Sequence, residues 1–143
     1  MINKMQKDLI KIGFIGNRHG LSEEQKEAII SIFHKYKNII VSHGDCLGSD
    51  TDFHNLCVYH REQYPEKRLD IRIFPPDNSR LRGFNEGDLM MKENSYLGRN
   101  LQIIKYSSFL IACPVDKNKE ELRSGTWSTI RQAQKRNVPV YIL

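Results

Sequence analysis

The sequence predicts an α/β domain built on one doubly wound, mainly parallel five-stranded sheet with helices on both faces, and three observations lead there. Five short apolar runs rich in β-branched residues recur, at 9–15, 38–42, 69–74, 108–113 and 138–143. Helical patterns fall between them. Most of the runs carry consecutive apolar residues more than strict alternation, as strands buried by helices on both sides require. Right-handed crossovers then make the order β-α-β-α-β-α-β-α-β a doubly wound sheet, with ligands expected where the strand order reverses.

After the first strand, Ser22-Glu23-Glu24-Gln25 has the form of a capping box, and Ala28, Ile29, Ile32, Phe33 and Tyr36 follow at helical spacing. The second strand leads into a helix over 50–64 that buries Phe53, Leu56 and Cys57 and ends before Pro65. The third strand is followed by a long irregular piece, 75–92, with Pro75-Pro76, Arg80, Arg82 and Gly87. Unstructured stretches of this length inside a compact domain tend to be functional, which makes Arg80 and Arg82 candidate ligand contacts. Leu97, Leu101 and Ile104 mark one face of a third helix. A last helix over 126–135 buries Ile130 and Ala133, and Asn137 with Pro139 closes it before the fifth strand. No internal repeat or low-complexity segment interrupts the pattern.

At 143 residues, 39% hydrophobic and 27% charged, the chain has the makings of one core, so a single domain over 1–143 is expected. Its apolar stretches are strand-sized, and no basic start precedes a long apolar run. The sequence therefore predicts neither a signal peptide nor a membrane helix, and points to a cytoplasmic protein. Cys46, Cys57 and Cys113 show no C-x-x-C spacing, which argues against a disulfide framework or zinc knuckle and suits a reducing compartment. The net charge of +5 favours an anionic partner, but the basic residues are scattered, leaving nucleotide, nucleic acid and plain solubility open.

Three polar or glycine-containing loops follow predicted strands and should meet on one rim. The first is Gly16-Asn17-Arg18-His19-Gly20, where glycine permits close backbone approach and Arg18 offers forked donors to a phosphate, unless the segment is only a tight turn. The second is His43-Gly44-Asp45-Cys46-Leu47-Gly48-Ser49-Asp50, with two glycines, a helix N-terminus for anions and acidic groups for ribose hydroxyls. Ser49 and Asp50 can equally serve as helix caps. His43, Asp45, Cys46, Asp50 and His54 match no metal-ligand spacing, so no metal or other cofactor is expected.

The third loop begins at Cys113-Pro114-Val115, makes a charged excursion over 116–123 and ends in Ser124-Gly125-Thr126-Trp127. A small residue, a glycine and a hydroxyl opening a helix present free N–H groups and the positive dipole end to a phosphate. Trp127 suits either stacking on a base or anchoring the helix. Arg99 and Asn100, on the third helix, can reach back to the same rim.

These segments resemble the LOG and DNA-processing-protein-A superfamily of Rossmann-like domains, called SLOG, over nearly the whole chain. The resemblance rests on Ile12-Gly13-Phe14-Ile15-Gly16, on the loop from His43 to Asp50, on Arg99-Asn100 ahead of Phe109-Leu110-Ile111-Ala112-Cys113-Pro114, and on Ser124-Gly125-Thr126-Trp127-Ser128-Thr129-Ile130-Arg131. It implies a nucleotide-derived ligand, with its phosphate on Ser124 to Thr126 and its sugar near the strand-two loop, and it implies a homo-oligomer. Members include phosphoribohydrolases, sensors of NAD-derived signals and proteins that load DNA-handling factors.

The hydrolases of that superfamily carry Pro-Gly-Gly-x-Gly-Thr-x-x-Glu and use the glutamate with an arginine on the preceding helix. Arg99 stands in the arginine's place, but Thr129 stands where the glutamate would be, and the excursion over 116–123 splits the motif. Threonine cannot stabilise an oxocarbenium-like centre as a carboxylate does. The sequence therefore favours a sensor or sequestering module for a nucleoside phosphate, an ADP-ribose or NAD derivative, or a cyclic nucleotide. An N-glycosidase drawing its acid from Glu120, Glu121, Asp45 or Asp50 is the alternative, and nucleic-acid binding is the third reading.

Overall fold

The computed structural model describes residues 9–143; residues 1–8, on which the expected absence of a leader partly bears, lie outside the described residues. The chain runs β1 (Leu9–Gly16), α1 (Glu23–His34), β2 (Asn38–His43), α2 (Ser49–Gln63), β3 (Arg68–Ile73), β4 (Leu89–Met90), α3 (Tyr96–Lys105), β5 (Phe109–Cys113), α4 (Gly125–Lys135) and β6 (Val140–Ile142), with a short 3-10 turn at Ser79–Leu81. The strands form one sheet in the order β4-β3-β2-β1-β5-β6, and every adjacent pair is parallel.

The sheet has six strands among the described residues where five were expected. The extra strand, β4, lies inside the segment read as irregular and adds to the edge through the pairs Arg72↔Leu89 and Ile73↔Met90. Asp88 fixes that register: its carboxylate accepts from Ile71 N at 2.7 Å and from Arg61 Nη1 at 2.8 Å. A two-residue strand held by contacts from elsewhere in the chain has no periodicity of its own to read.

Local chemistry sets the helix starts. Ser22 Oγ accepts from Gln25 N while Gln25 Oε1 accepts from Ser22 N, so the capping box forms. The α2 helix begins one residue earlier than the sequence suggests, because Gly48 turns the chain at φ +93°, a conformation costly for any residue with a side chain.

Neighbouring residues of a strand point to opposite sides of a sheet, and Phe14 and Ile15 accordingly belong to different apolar clusters. Phe14 packs with Ile29, Ile32 and Phe33 of α1 and Phe53 and Cys57 of α2, its ring stacked on Phe53 at 4.2 Å between centroids. Ile15 packs with Ile103 and Ile104 of α3 and Ala133 of α4. All three cysteines are free, and no helix among the described residues is long and apolar enough to cross a membrane.

Candidate functional site

The strand order reverses between β1 and β5, so the loops leaving their carboxyl ends diverge and open a crevice. Gly16 pairs with Cys113 there, and Asn17 donates to Cys113 O from both its backbone N (3.1 Å) and its Nδ2 (3.0 Å). A cleft of about 830 Å³ lies at this point. Its size is within the range of small-molecule sites.

The start of α4 forms one wall. Ser124 is the extended N-cap, and its Oγ accepts from Trp127 N at 3.3 Å. That bond leaves the N–H groups of Gly125 and Thr126 at the head of the helix without an intrahelical acceptor. All four residues line the cleft, although Trp127 also packs with Ala112 and Ile130, which is the anchoring role.

Arg99 of α3 faces this wall and is only 2% exposed. Its Nη1 donates to the carbonyls of Gly44 and Phe74, its Nη2 points at Cys46 Sγ at 3.4 Å, and its guanidinium lies 4.9 Å from the centre of the Tyr96 ring. The third nitrogen, Nε, is buried and unpartnered. An unmet buried donor costs on the order of 1–3 kcal/mol, more when charged, so the guanidinium retains unused donor capacity.

Asp50, in the first turn of α2, also lines the cleft, and its Oδ2 accepts from Cys46 N at 3.0 Å. Burial raises the Asp50 pKa to about 6, against the opposing pull of Arg99 and the Cys46 N–H. Asn100 lines the cleft as well, donating through Nδ2 to Thr129 Oγ1 at 2.9 Å. Thr129 in turn donates to Gly125 O at 3.0 Å and is buried, so it ties α3 to α4. Gly16, Asn17, Arg18 and Gly44 complete the sequence-chosen residues that meet around the cleft.

Other candidates stand elsewhere. His43 is buried beneath the loop, accepting from Asp45 N at 3.0 Å and bonded through Nε2 to His54 Nδ1 at 2.9 Å. Asp45 is fully buried with φ +55°, holding Arg82 Nε (3.0 Å), Asn85 N (3.0 Å) and Asn85 Nδ2 (2.9 Å). It therefore clamps the 75–92 segment, and Arg82 is drawn to it and away from the cleft. Arg80 sits exposed in the 3-10 turn, and Pro114 is buried at the end of β5. Gly48 and Ser49 support the Arg18 loop: a side chain at 48 would collide with Arg18 O, and Ser49 N and Oγ both donate to Asn17 O.

Sequence reasoning missed Tyr96 and Leu81, and left Cys46 out of the ligand set, although all three line the cleft. Tyr96 had a readable signal, lying three residues before Arg99 on the same helical face. Leu81 had none, since it arrives through the long-range bond from Leu47 N to its carbonyl. Of the acids considered, Glu121 lines the cleft, whereas Glu120 pairs with Arg131 at 2.8 Å. Among the described residues no three His, Cys, Asp or Glu side chains are grouped to hold a metal ion. Set beside known proteins, the chain matches no family model and no curated protein.

Proposed function

We propose that the cleft binds a nucleotide or nucleotide-derived ligand, a nucleoside phosphate, an ADP-ribose or NAD derivative or a cyclic nucleotide, and that the protein acts as a sensor or sequestering module. The observation that carries this reading is the pairing of two anion-seeking features in one cleft: the free N–H groups opening α4, and a buried Arg99 whose Nε has no partner. Oriented amides at a helix N-terminus and a fixed guanidinium are the donors a phosphate takes. The position at the reversal of strand order and the SLOG resemblance support the same reading.

A thermal-shift screen of nucleoside phosphates, cyclic nucleotides and NAD derivatives tests it. At least one ligand raises the melting temperature of the native chain, and Gly125→Asp, which sets a negative charge at the head of α4, abolishes the shift. A screen with no responder, or a variant that responds as the native chain does, removes the reading.

Asp50 favours one second reading, an N-glycosidase. A carboxyl in the cleft with a pKa of about 6 can exchange a proton near neutral pH, which the buried Thr129 cannot do. On this reading free base is released from a nucleoside monophosphate or NAD-type substrate, and Asp50→Asn lowers the rate by roughly 100-fold or more. If chromatography detects no base from any of these substrates, the site binds without cleaving.

A further inference from the structure

We propose that the Tyr96 hydroxyl is a third donor of the anion cradle, seating a phosphate-sized oxyanion beside the N–H groups of Gly125 and Thr126. This assignment rests on the reading of the cleft as a phosphate-holding site and names a residue outside the ligand set expected from the sequence.

Tyr96 opens α3, lines the cleft beside the head of α4 and is itself 37% exposed. Its hydroxyl and ring edge lie against Gly125, where any side chain would collide with them. Glycine at 125 thus has a purpose besides ligand approach: it lets a phenol reach the head of the helix. The ring is held on both sides of its attachment. Ser95 caps α3, its Oγ accepting from Gly98 N at 3.2 Å, and the Arg99 guanidinium lies over the ring. A phenol is protonated at neutral pH and burial raises the pKa of this one further, so its O–H is free to donate while its oxygen takes a hydrogen bond from the Asn100 side chain.

The independent pointer to a ligand is Arg99. It is buried, lines the same cleft and lies on the Tyr96 ring, and its Nε lacks an acceptor. Tyr96 therefore joins the two features already described, with its ring under the cation and its hydroxyl at the helix terminus. If the residue only filled space, phenylalanine would serve equally well.

Tyr96→Phe keeps the ring and the contact with Arg99 and removes the hydroxyl, both as a donor to the ligand and as the partner of the Asn100 side chain. The probes are inorganic phosphate, pyrophosphate, adenosine 5′-monophosphate and adenosine, followed through the amide resonances of Gly125 and Thr126. In the native chain both amides shift saturably with at least one phosphate-bearing probe. In Tyr96→Phe the fold is retained and that probe binds about 10-fold more weakly, the loss expected for one hydrogen bond to a charged group. Gly125→Ala, which pushes the phenol aside while keeping both amides, weakens binding by at least as much.

Equal affinity of Tyr96→Phe and native protein for these probes overturns the proposal, as does the absence of any amide response in the native chain. Binding of phosphate or pyrophosphate but of no nucleotide, with the loss in Tyr96→Phe intact, removes the nucleotide reading and leaves the Tyr96 assignment standing.

Discussion

His43 and His54 show how single side chains tie this site to pH. Asp45 N donates to His43 Nδ1, so the His43 proton must sit on Nε2, where it is donated to His54 Nδ1. Only two neutral rings satisfy that chain. Burial, followed by the charges of His54 and Arg99, lowers the His43 pKa to about 3. Burial lowers that of His54, which faces Asp45, Arg61 and Asp88, and that of His60, which faces His34, Lys67 and Glu66.

A histidine held neutral in the folded state gives stability that is full above its unfolded pKa of about 6.5 and is lost as pH falls below that value. Asp50 acts in the opposite sense. Its raised pKa stabilises the fold below about 4, and that contribution disappears as pH rises through 6. Three histidines against one carboxyl leave a net loss on acidification. The melting temperature should fall between pH 7 and 5. Replacing Asp50 by Asn should steepen the fall. A melting temperature that rises on acidification over this range would contradict these assignments.

At the scale of elements, what the sequence revealed depended on whether the signal was local. The α1 start was legible because Ser22 and Gln25 bond to each other within one turn. The loop after β2 was legible as polar and glycine-rich, but the division of labour within it was not. Gly44 and Asp50 line the cleft, whereas His43 and Asp45 lie buried behind it as its support, and nothing in their spacing distinguishes the two sets. The 75–92 segment is long, as the sequence suggests, but not wholly irregular. Its β4 strand and its clamp onto Asp45 come from partners 17 to 40 residues away in sequence. Its Arg82 is consequently a structural residue by contact. The nearby Leu81, an aliphatic residue with no chemical signal, is the one that reaches the cleft.

Across the whole molecule, the doubly wound order placed the cleft before any side chain was considered, because right-handed crossovers leave one reversal point between β1 and β5. The net charge of +5 contributed less than it suggested. In the cleft itself Arg18, Arg99 and Arg123 stand with Asp50, Asp116 and Glu121, so the proposed selectivity for an anion rests on donors that have no acceptor and less on a bulk positive potential. The basic excess elsewhere is available for steering an anionic ligand inward, an effect that salt screens.

The central claim is that these donors hold the phosphate of a nucleotide-derived ligand. A crystal structure of the chain with the tightest ligand from the thermal-shift screen tests it most directly. The account predicts phosphate oxygens within hydrogen-bonding distance of Gly125 N and Thr126 N, with the remainder of the ligand in the cleft between α3 and the loop after β2. A ligand seated outside this cleft, or one lying within it with its phosphate turned away from α4, would contradict the account.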